Sequence, residues 1–293
     1  MSTLIPPLIV IVGETASGKS GLAMELAKRF DGELICADSW TVYKGFDIGS
    51  AKPTATETAA VRHHLLDVAD PADGYSAAIF QRMAQATIKD ISARGKMPIL
   101  VGGTGLYIDS VLFDYGFLPP PLAALRTELN ALSLEELIVR CTTMGLDITG
   151  IDLHNKRRVI RLIENQGVRP SRTPARANTL VLGLQVPPDE LRSRIESRVD
   201  DMIDRGLEHE ACSLACKYGW DNEAMKGIGY AEWQGYAAGM QSIHETKDLI
   251  VAHTLNLAKR QRTWFKRNKS IQWLTDRDKL SEAVAETTTF LYK

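Results

Sequence analysis

Apolar and polar positions along the chain follow two different periods. Leu8-Ile9-Val10-Ile11-Val12 is an unbroken apolar, largely β-branched run between Pro7 and Gly13, the pattern of a strand covered on both faces. Beyond it the period changes: Leu22, Leu26 and Phe30 recur at four-residue steps, which predicts one face of a helix. Shorter apolar runs predict further strands at Glu33–Ala37, Leu65–Val68, Pro98–Val101, Thr179–Val186 and Ile271–Leu274. Helical patterns lie between them, the alternation of an α/β fold built on a parallel sheet. The stretch Phe117-Leu118-Pro119-Pro120-Pro121 breaks this alternation, and Leu122 to Gln166 then reads as helical throughout. The pattern therefore predicts a mainly helical insertion domain at 119–174 within a core formed by 1–118 and 175–293.

The junction between the first strand and the first helix carries chemistry. It reads Gly13-Glu14-Thr15-Ala16-Ser17-Gly18-Lys19-Ser20, the Gly-x-x-x-x-Gly-Lys-Ser loop that wraps a chain of phosphates. Strand, glycine loop and helix stand in the required order, so loop amides and the helix N-terminus converge on one spot. Lys19 adds a mobile positive charge there, and Ser20 offers its hydroxyl to Mg2+. The fold expected is accordingly a P-loop NTPase-like parallel sheet flanked by helices. The loop alone does not say whether its phosphates are transferred, hydrolysed or released.

A P-loop NTPase usually places an Asp at the end of a neighbouring strand to hold the metal. Here the run Pro98–Val101 ends instead in Gly102-Gly103-Thr104-Gly105. The acid stands at Asp38, after the second strand and on the same sheet edge. It could take a proton from a nucleophile or grip a metal, and small-molecule kinases also place an Asp in this region. The two glycines permit close backbone approach to a ligand, beside the hydroxyl of Thr104.

A net charge of −1 hides a segregation of charge. Leu249–Thr275 holds six Lys/Arg and no acid, and Asn155–Asn178 holds seven against the single Glu164. Such clusters suggest a polyanionic partner larger than one nucleotide. Lys259, Arg262, Lys266 and Lys269 recur at three- and four-residue steps, which predicts one basic helical face. Trp264 and Phe265 among them could stack on unpaired bases or anchor the core. No apolar run approaches the ~20 residues of a membrane span, and the N-terminus lacks the pattern of a targeting signal. The four cysteines, Cys36, Cys141, Cys212 and Cys216, are too few for a disulfide scaffold. A cytoplasmic protein without a membrane partner is expected.

The segments "GETASGKS", "ADSWTVYKGFDIGSAKP", "HHLLDVADPADGYSAAIF", "PILVGGTGLYI", "KRRVIRLIE", "RIESRVDDMI", "KGIGY" and "KRQRTWFKR" follow one another from about Leu8 to Leu274. In kind and order they resemble the tRNA dimethylallyltransferases, of bacterial type. The resemblance implies a P-loop α/β domain with a helical insertion. The implied reaction moves a dimethylallyl group from dimethylallyl diphosphate to the exocyclic amine of an adenosine beside the anticodon, with Mg2+ as cofactor and pyrophosphate as product. By motif it implies that Gly13 to Ser20 and Arg198 hold the diphosphate. Lys19 belongs to the catalytic set, with Asp38 as general base and Thr104 beside the transfer centre. It implies contacts to the tRNA anticodon arm from Asp38, Ser39, Trp40, Thr41 and Thr104, and from Arg126, Arg157, Arg158, Val159, Ile160 and Arg161. Further contacts are implied for Lys226, Gly227, Ile228, Gly229, Tyr230 and Ala231, and for Lys259, Arg260, Gln261, Arg262, Thr263, Trp264, Phe265 and Lys266. A monomer is expected.

Several positions depart from the family pattern. Glu14 replaces a usual Pro on the rim of the phosphate loop, where a side chain turned outward would be harmless. Trp40-Thr41 replaces Met-Gln, Ala231 a basic residue and Pro188 a common Arg, while Leu153-His154-Asn155 stands for His-Pro-Asn-Asp. Two alternatives stay open on the residues: a dimethylallyltransferase acting on free adenylate, and a P-loop small-molecule kinase.

Overall fold

The structure is a computed structural model and describes residues 5–120, 122–274 and 278–292. Pro121 of the proline break and Thr275 at the end of the second basic stretch lie outside the described residues, as do 1–4, 276, 277 and 293. The chain forms two compact units: Phe113–Ala175, and the remainder on either side of it.

The larger unit is a parallel sheet with helices packed on it. Its strands are β1 (Leu8–Gly13), β2 (Gly32–Cys36), β3 (His63–His64), β4 (Met97–Gly102), β5 (Thr179–Leu184) and β6 (Gln272–Trp273). They lie in the order β3-β2-β4-β1-β5-β6, every neighbouring pair parallel. β1 is buried at all six positions, as a central strand covered on both faces must be. Helices α1 (Lys19–Arg29), α2 (Ala55–Ala60), α3 (Ala77–Ala93) and α4 (Gly105–Leu112) follow strands in the first half of this unit. Leu22, Ala23, Leu26 and Ala27 on α1 meet Ile9, Ile11, Ile99 and Leu182 in one core, which is why the four-residue period was visible in the sequence.

The third strand differs from expectation. The run Leu65–Val68 is not extended, because Leu65 and Asp67 have φ of 63° and 54°; the pairing residues are His63 and His64 just before it. Apolar character at Leu65 reports burial here, not strand geometry. β5 and β6 are shorter than their apolar runs at one or both ends.

In Phe113–Ala175 the stretch read as helical holds three helices, α5 (Ala123–Ala131), α6 (Leu134–Thr143) and α7 (Lys156–Glu164). Ser133 opens α6 with a capping box closed by Glu136, and Asn155 caps α7 by accepting from the Arg158 amide. These polar caps are the interruptions. Leu129, Leu137, Cys141, Val159, Ile160, Leu162 and Ile163 form a core belonging to this unit.

After β5 the larger unit continues with α8 (Pro188–Asp204), α9 (Leu207–Tyr218), α10 (Trp233–Ala237), α11 (Ile243–Phe265) and α12 (Lys279–Leu291). Helices α8, α9 and α11 share a second core with Val42, Phe46, Tyr230 and Trp233. None of the described helices is long and apolar enough to cross a membrane.

Candidate active site

β1, β4 and β2 are adjacent in the sheet, so the loops leaving their C-terminal ends share one edge, where ligands of open α/β sheets bind. The phosphate loop leaves β1, Thr104 follows β4 and Asp38 follows β2. Close backbone approach is built in: a Cβ on Gly102 would sit 2.1 Å from the Ala37 carbonyl oxygen, and one on Gly103 2.3 Å from Gln261 Nε2.

Gly18 turns the loop into α1 with φ 86°, a left-handed conformation that suits glycine. Lys19 Nζ donates to the Glu14 carbonyl at 3.3 Å. Burial, then the nearby Arg198 guanidinium, brings the Lys19 ammonium down to about 8, opposed by Asp38 and Glu14. Arg198 on α8 donates to Thr15 Oγ1 at 3.3 Å, and burial also lowers its own affinity for its proton. Two cations held partly desolvated beside the loop and the N-terminus of α1 are a site that an anion stabilises.

Asp38 Oδ1 accepts from the Trp40 and Thr41 amides at 2.8 and 3.3 Å, which fixes the carboxyl against the sheet edge. The Ser39 amide donates to Thr104 Oγ1 at 3.2 Å, tying the two edge loops together. Thr41 is buried, and its hydroxyl has no hydrogen-bond partner among the described residues.

Two cavities meet at this edge. One of about 180 Å³ is lined by Lys19, Ser20, Met24, Leu34, Thr41, Lys52, Leu66 and Val101. The other, of about 250 Å³, is lined by Trp40, Lys226, Gly229, Ile250 and Arg260. Thr15, Asp38, Ser50, Arg198 and Leu257 line both. The first combines cations with an apolar wall; the second opens on basic side chains. Asp38 stands at both.

Several expected site residues have other work. Glu14 is 2% exposed and turned inward, not outward. Arg262 Nε and Nη2 each donate to its carboxylate at 2.7 Å, the Val186 amide donates to Oε1 at 3.1 Å, and Arg262 Nη2 also donates to the Val186 carbonyl at 2.9 Å. A buried carboxylate is tolerated when it is paired and hydrogen-bonded, and both Glu14 oxygens are. Arg262 is therefore not on a free basic face. That face also ends early, because α11 stops at Phe265 and Lys269 lies beyond it. Gln261 accepts from the Thr15 amide at 2.8 Å and donates to the Gly103 carbonyl at 3.0 Å. Phe265 is a core residue, and Trp264 packs against Gly105 with its indole donating to Asp109 at 3.0 Å.

The other implied contact residues divide the same way. Tyr230 is buried, its hydroxyl donating to Glu210 at 2.8 Å and accepting from the Ser50 amide at 3.1 Å. Gly227 and Gly229 are buried and Ile228 half-buried. Gly227 lies against the Trp40 ring, whose indole donates to the Ala224 carbonyl at 2.8 Å. Val159 and Ile160 are core positions, so their side chains cannot form a contact surface. Arg126 forks onto Glu164, and Arg161 donates to the Leu118 and Pro119 carbonyls. Exposed residues of the implied set include Arg157, Arg158, Lys226, Ala231, Lys259, Arg260, Thr263 and Lys266. Two residues against this site escaped the sequence reading. Lys52 lines the first cavity, but its ammonium is held by the Tyr43 carbonyl at 2.6 Å and by the Asp47 and Asp67 carboxylates, so it braces the wall. Arg194 donates to the Ala16 carbonyl at 3.4 Å, and its spacing one helical turn before Arg198 is a signal that could have found it.

A family model described as IPP transferase matches residues 41–268. Curated relatives named tRNA dimethylallyltransferase include those of Exiguobacterium sp., 42% identical over 92% of this chain and 90% of the relative, and Anoxybacillus flavithermus, 40% identical over 91% and 89%. Among solved structures, the full-length tRNA isopentenylpyrophosphate transferase of Bacillus halodurans aligns with a TM-score of 0.76 at 36% identity, covering 97% of this chain and 96% of that one. A eukaryotic dimethylallyltransferase acting on tRNA aligns at 0.83 and 26% identity, covering 98% and 80%. With the motifs assembled on one sheet edge and a match across most of its length, the chain belongs to the IPP transferase family.

Proposed function

We propose that this enzyme transfers a dimethylallyl group from dimethylallyl diphosphate to the exocyclic amine of the adenosine 3′-adjacent to the anticodon in tRNA. The observation that carries the reading is the wall shared by the two cavities, which presents Thr15, Arg198 and Asp38 to both. The diphosphate occupies the loop side, where Lys19 and Arg198 face it and Met24, Leu34 and Val101 offer the prenyl chain an apolar wall. The adenine enters from the side lined by Trp40, Lys226 and Arg260.

In the reaction the amine nitrogen bonds to the terminal allylic carbon as the carbon–oxygen bond to the diphosphate breaks. The amine proton passes to Asp38, and pyrophosphate leaves from the loop. Positive charge on the allyl group and negative charge on the leaving oxygen grow together. Lys19 and Arg198 therefore interact more strongly with the transition state than with the bound donor. The Thr104 hydroxyl, held by Ser39, lies beside the same edge and orients the acceptor. No ATP is consumed.

The donor set fits Mg2+. Ser20 supplies a hard hydroxyl oxygen on the cavity wall, and no cluster of three or more His, Cys, Asp or Glu stands among the described residues as a dedicated metal cage. Mg2+ commonly keeps several waters and is held through substrate phosphates and few protein ligands. When bound it neutralises charge on the leaving diphosphate. Lys259, Arg260 and Lys266 on the larger unit, and Arg157 and Arg158 on the smaller, are exposed cations suited to RNA phosphates. Free AMP has no use for them. We place the enzyme in the cytoplasm as a monomer.

Pyrophosphate release tests the reading. It should require dimethylallyl diphosphate and tRNA together, and ATP should not replace the donor. Steady phosphate release from ATP would instead support a kinase.

A further inference from the structure

We infer that Glu14 is a positioning residue for the diphosphate loop, its carboxylate clamped by Arg262 so that its carbonyl holds the Lys19 ammonium in place. The inference rests on the reading of this loop as the diphosphate site.

The contacts form one chain. Arg262 forks onto both Glu14 carboxylate oxygens, and the Val186 amide adds a third donor. That fixes Glu14 at the point where β1 becomes loop. The Glu14 carbonyl accepts from Lys19 Nζ and from the Ser17 amide. One residue later the Thr15 amide donates to Gln261, the neighbour of Arg262 on α11, while the Thr15 hydroxyl accepts from Arg198 on α8. Consecutive residues of α11 thus grip consecutive residues of the loop. The resemblance gives most family members a proline at this position, whose ring fixes the backbone directly. Here an ion pair does that work, and its cost is that Arg262 is withdrawn from the RNA-facing surface.

Position and charge predict opposite signs for Glu14→Gln. If Glu14 acted only through its charge, removing a negative group beside an anion site would tighten anion binding. If it acts by holding the loop, the same change loosens the Lys19 anchor and weakens binding. The probe is pyrophosphate with Mg2+ at pH 7.0, read by calorimetry. Wild type should bind, and Glu14→Gln should weaken binding by roughly tenfold. Because a lone buried charge can unfold the chain, the double variant Glu14→Gln/Arg262→Gln repeats the test with no net change in charge. It should remain weak, and its melting curve should show a single cooperative transition. In turnover, the donor KM should rise about fivefold more than kcat falls, the split expected when ground-state positioning is lost. The same double variant should leave the salt slope of tRNA binding unchanged, against the loss of roughly 0.7–0.9 units expected if Arg262 neutralised a phosphate.

Tighter pyrophosphate binding by Glu14→Gln, or wild-type pyrophosphate affinity or a flattened salt slope in the double variant, would overturn this inference and leave the diphosphate reading intact. A wild-type chain that does not bind pyrophosphate would overturn both.

Discussion

The Lys19 ammonium rests on the carbonyl of Glu14, five residues earlier in the same loop, at 3.3 Å. A single backbone oxygen is a modest partner for a charge that burial and Arg198 already bring down to about 8. The site is therefore poised for an anion, and on the proposed reading Lys19 gains most when the diphosphate arrives and grows more negative in the transition state. Lys19→Ala should lower prenyl transfer by at least the roughly 10²–10³-fold typical of losing one such donor. The affinity for tRNA at fixed salt should not follow it; an equal loss there would place Lys19 on the RNA.

The same ammonium sets a pH dependence. The free enzyme loses its proton as pH rises through about 8, while bound diphosphate retains it. Pyrophosphate affinity should therefore fall as pH rises through about 8. Lys19→Met should abolish that fall.

Asp38 is held by two backbone amides through Oδ1. Asp38→Asn preserves that geometry but cannot accept a proton. Turnover should drop by about 10²–10⁴ with little change in either KM. Restoration by excess Mg2+ would show a metal ligand instead of a base.

Lys259, Arg260 and Lys266 are exposed, whereas Arg262 is not free. Replacing the three exposed cations by Gln should flatten the slope of log K against log salt for tRNA by about 2–3 units. Turnover of saturating tRNA should change far less, since phosphate contacts position the substrate.

Glu33 on β2 pairs with Arg94 and His64, and the Arg94 hydrogen bonds foremost hold its carboxyl down at about 2 from an ordinary 4.5. A lowered carboxyl stabilises the fold above its unfolded value and loses that contribution as pH falls through its folded one. Glu33→Gln should be less stable than wild type at pH 6, and the gap between their melting temperatures should close as pH falls from about 4.5 towards 2. A gap independent of pH would show that packing, not charge, is lost.

How far the sequence could be read depended on how local each determinant is. The β1 run and the glycine loop are contiguous, so strand, loop and helix were all legible. β3 was misplaced because apolar burial at Leu65 mimics a strand, whereas the pairing residues are two histidines. Arg262 shows the deeper limit. On a helical projection it belongs with Lys259 and Lys266, and only the tertiary fold brings Glu14 to it across 248 positions of sequence. Val159, Ile160, Tyr230 and Phe265 likewise sit inside basic or glycine-rich motifs that suggest RNA contact, yet their side chains are core. Motif membership named the neighbourhood; packing decided which side chains face a ligand.

The most direct measurement is mass spectrometry of nucleosides digested from tRNA after incubation with the enzyme, dimethylallyl diphosphate and Mg2+. One dimethylallyl-adenosine per reactive tRNA is expected, mapped 3′ to the anticodon, with free AMP unmodified under the same conditions. Prenylated AMP together with unmodified tRNA would contradict the proposed reaction.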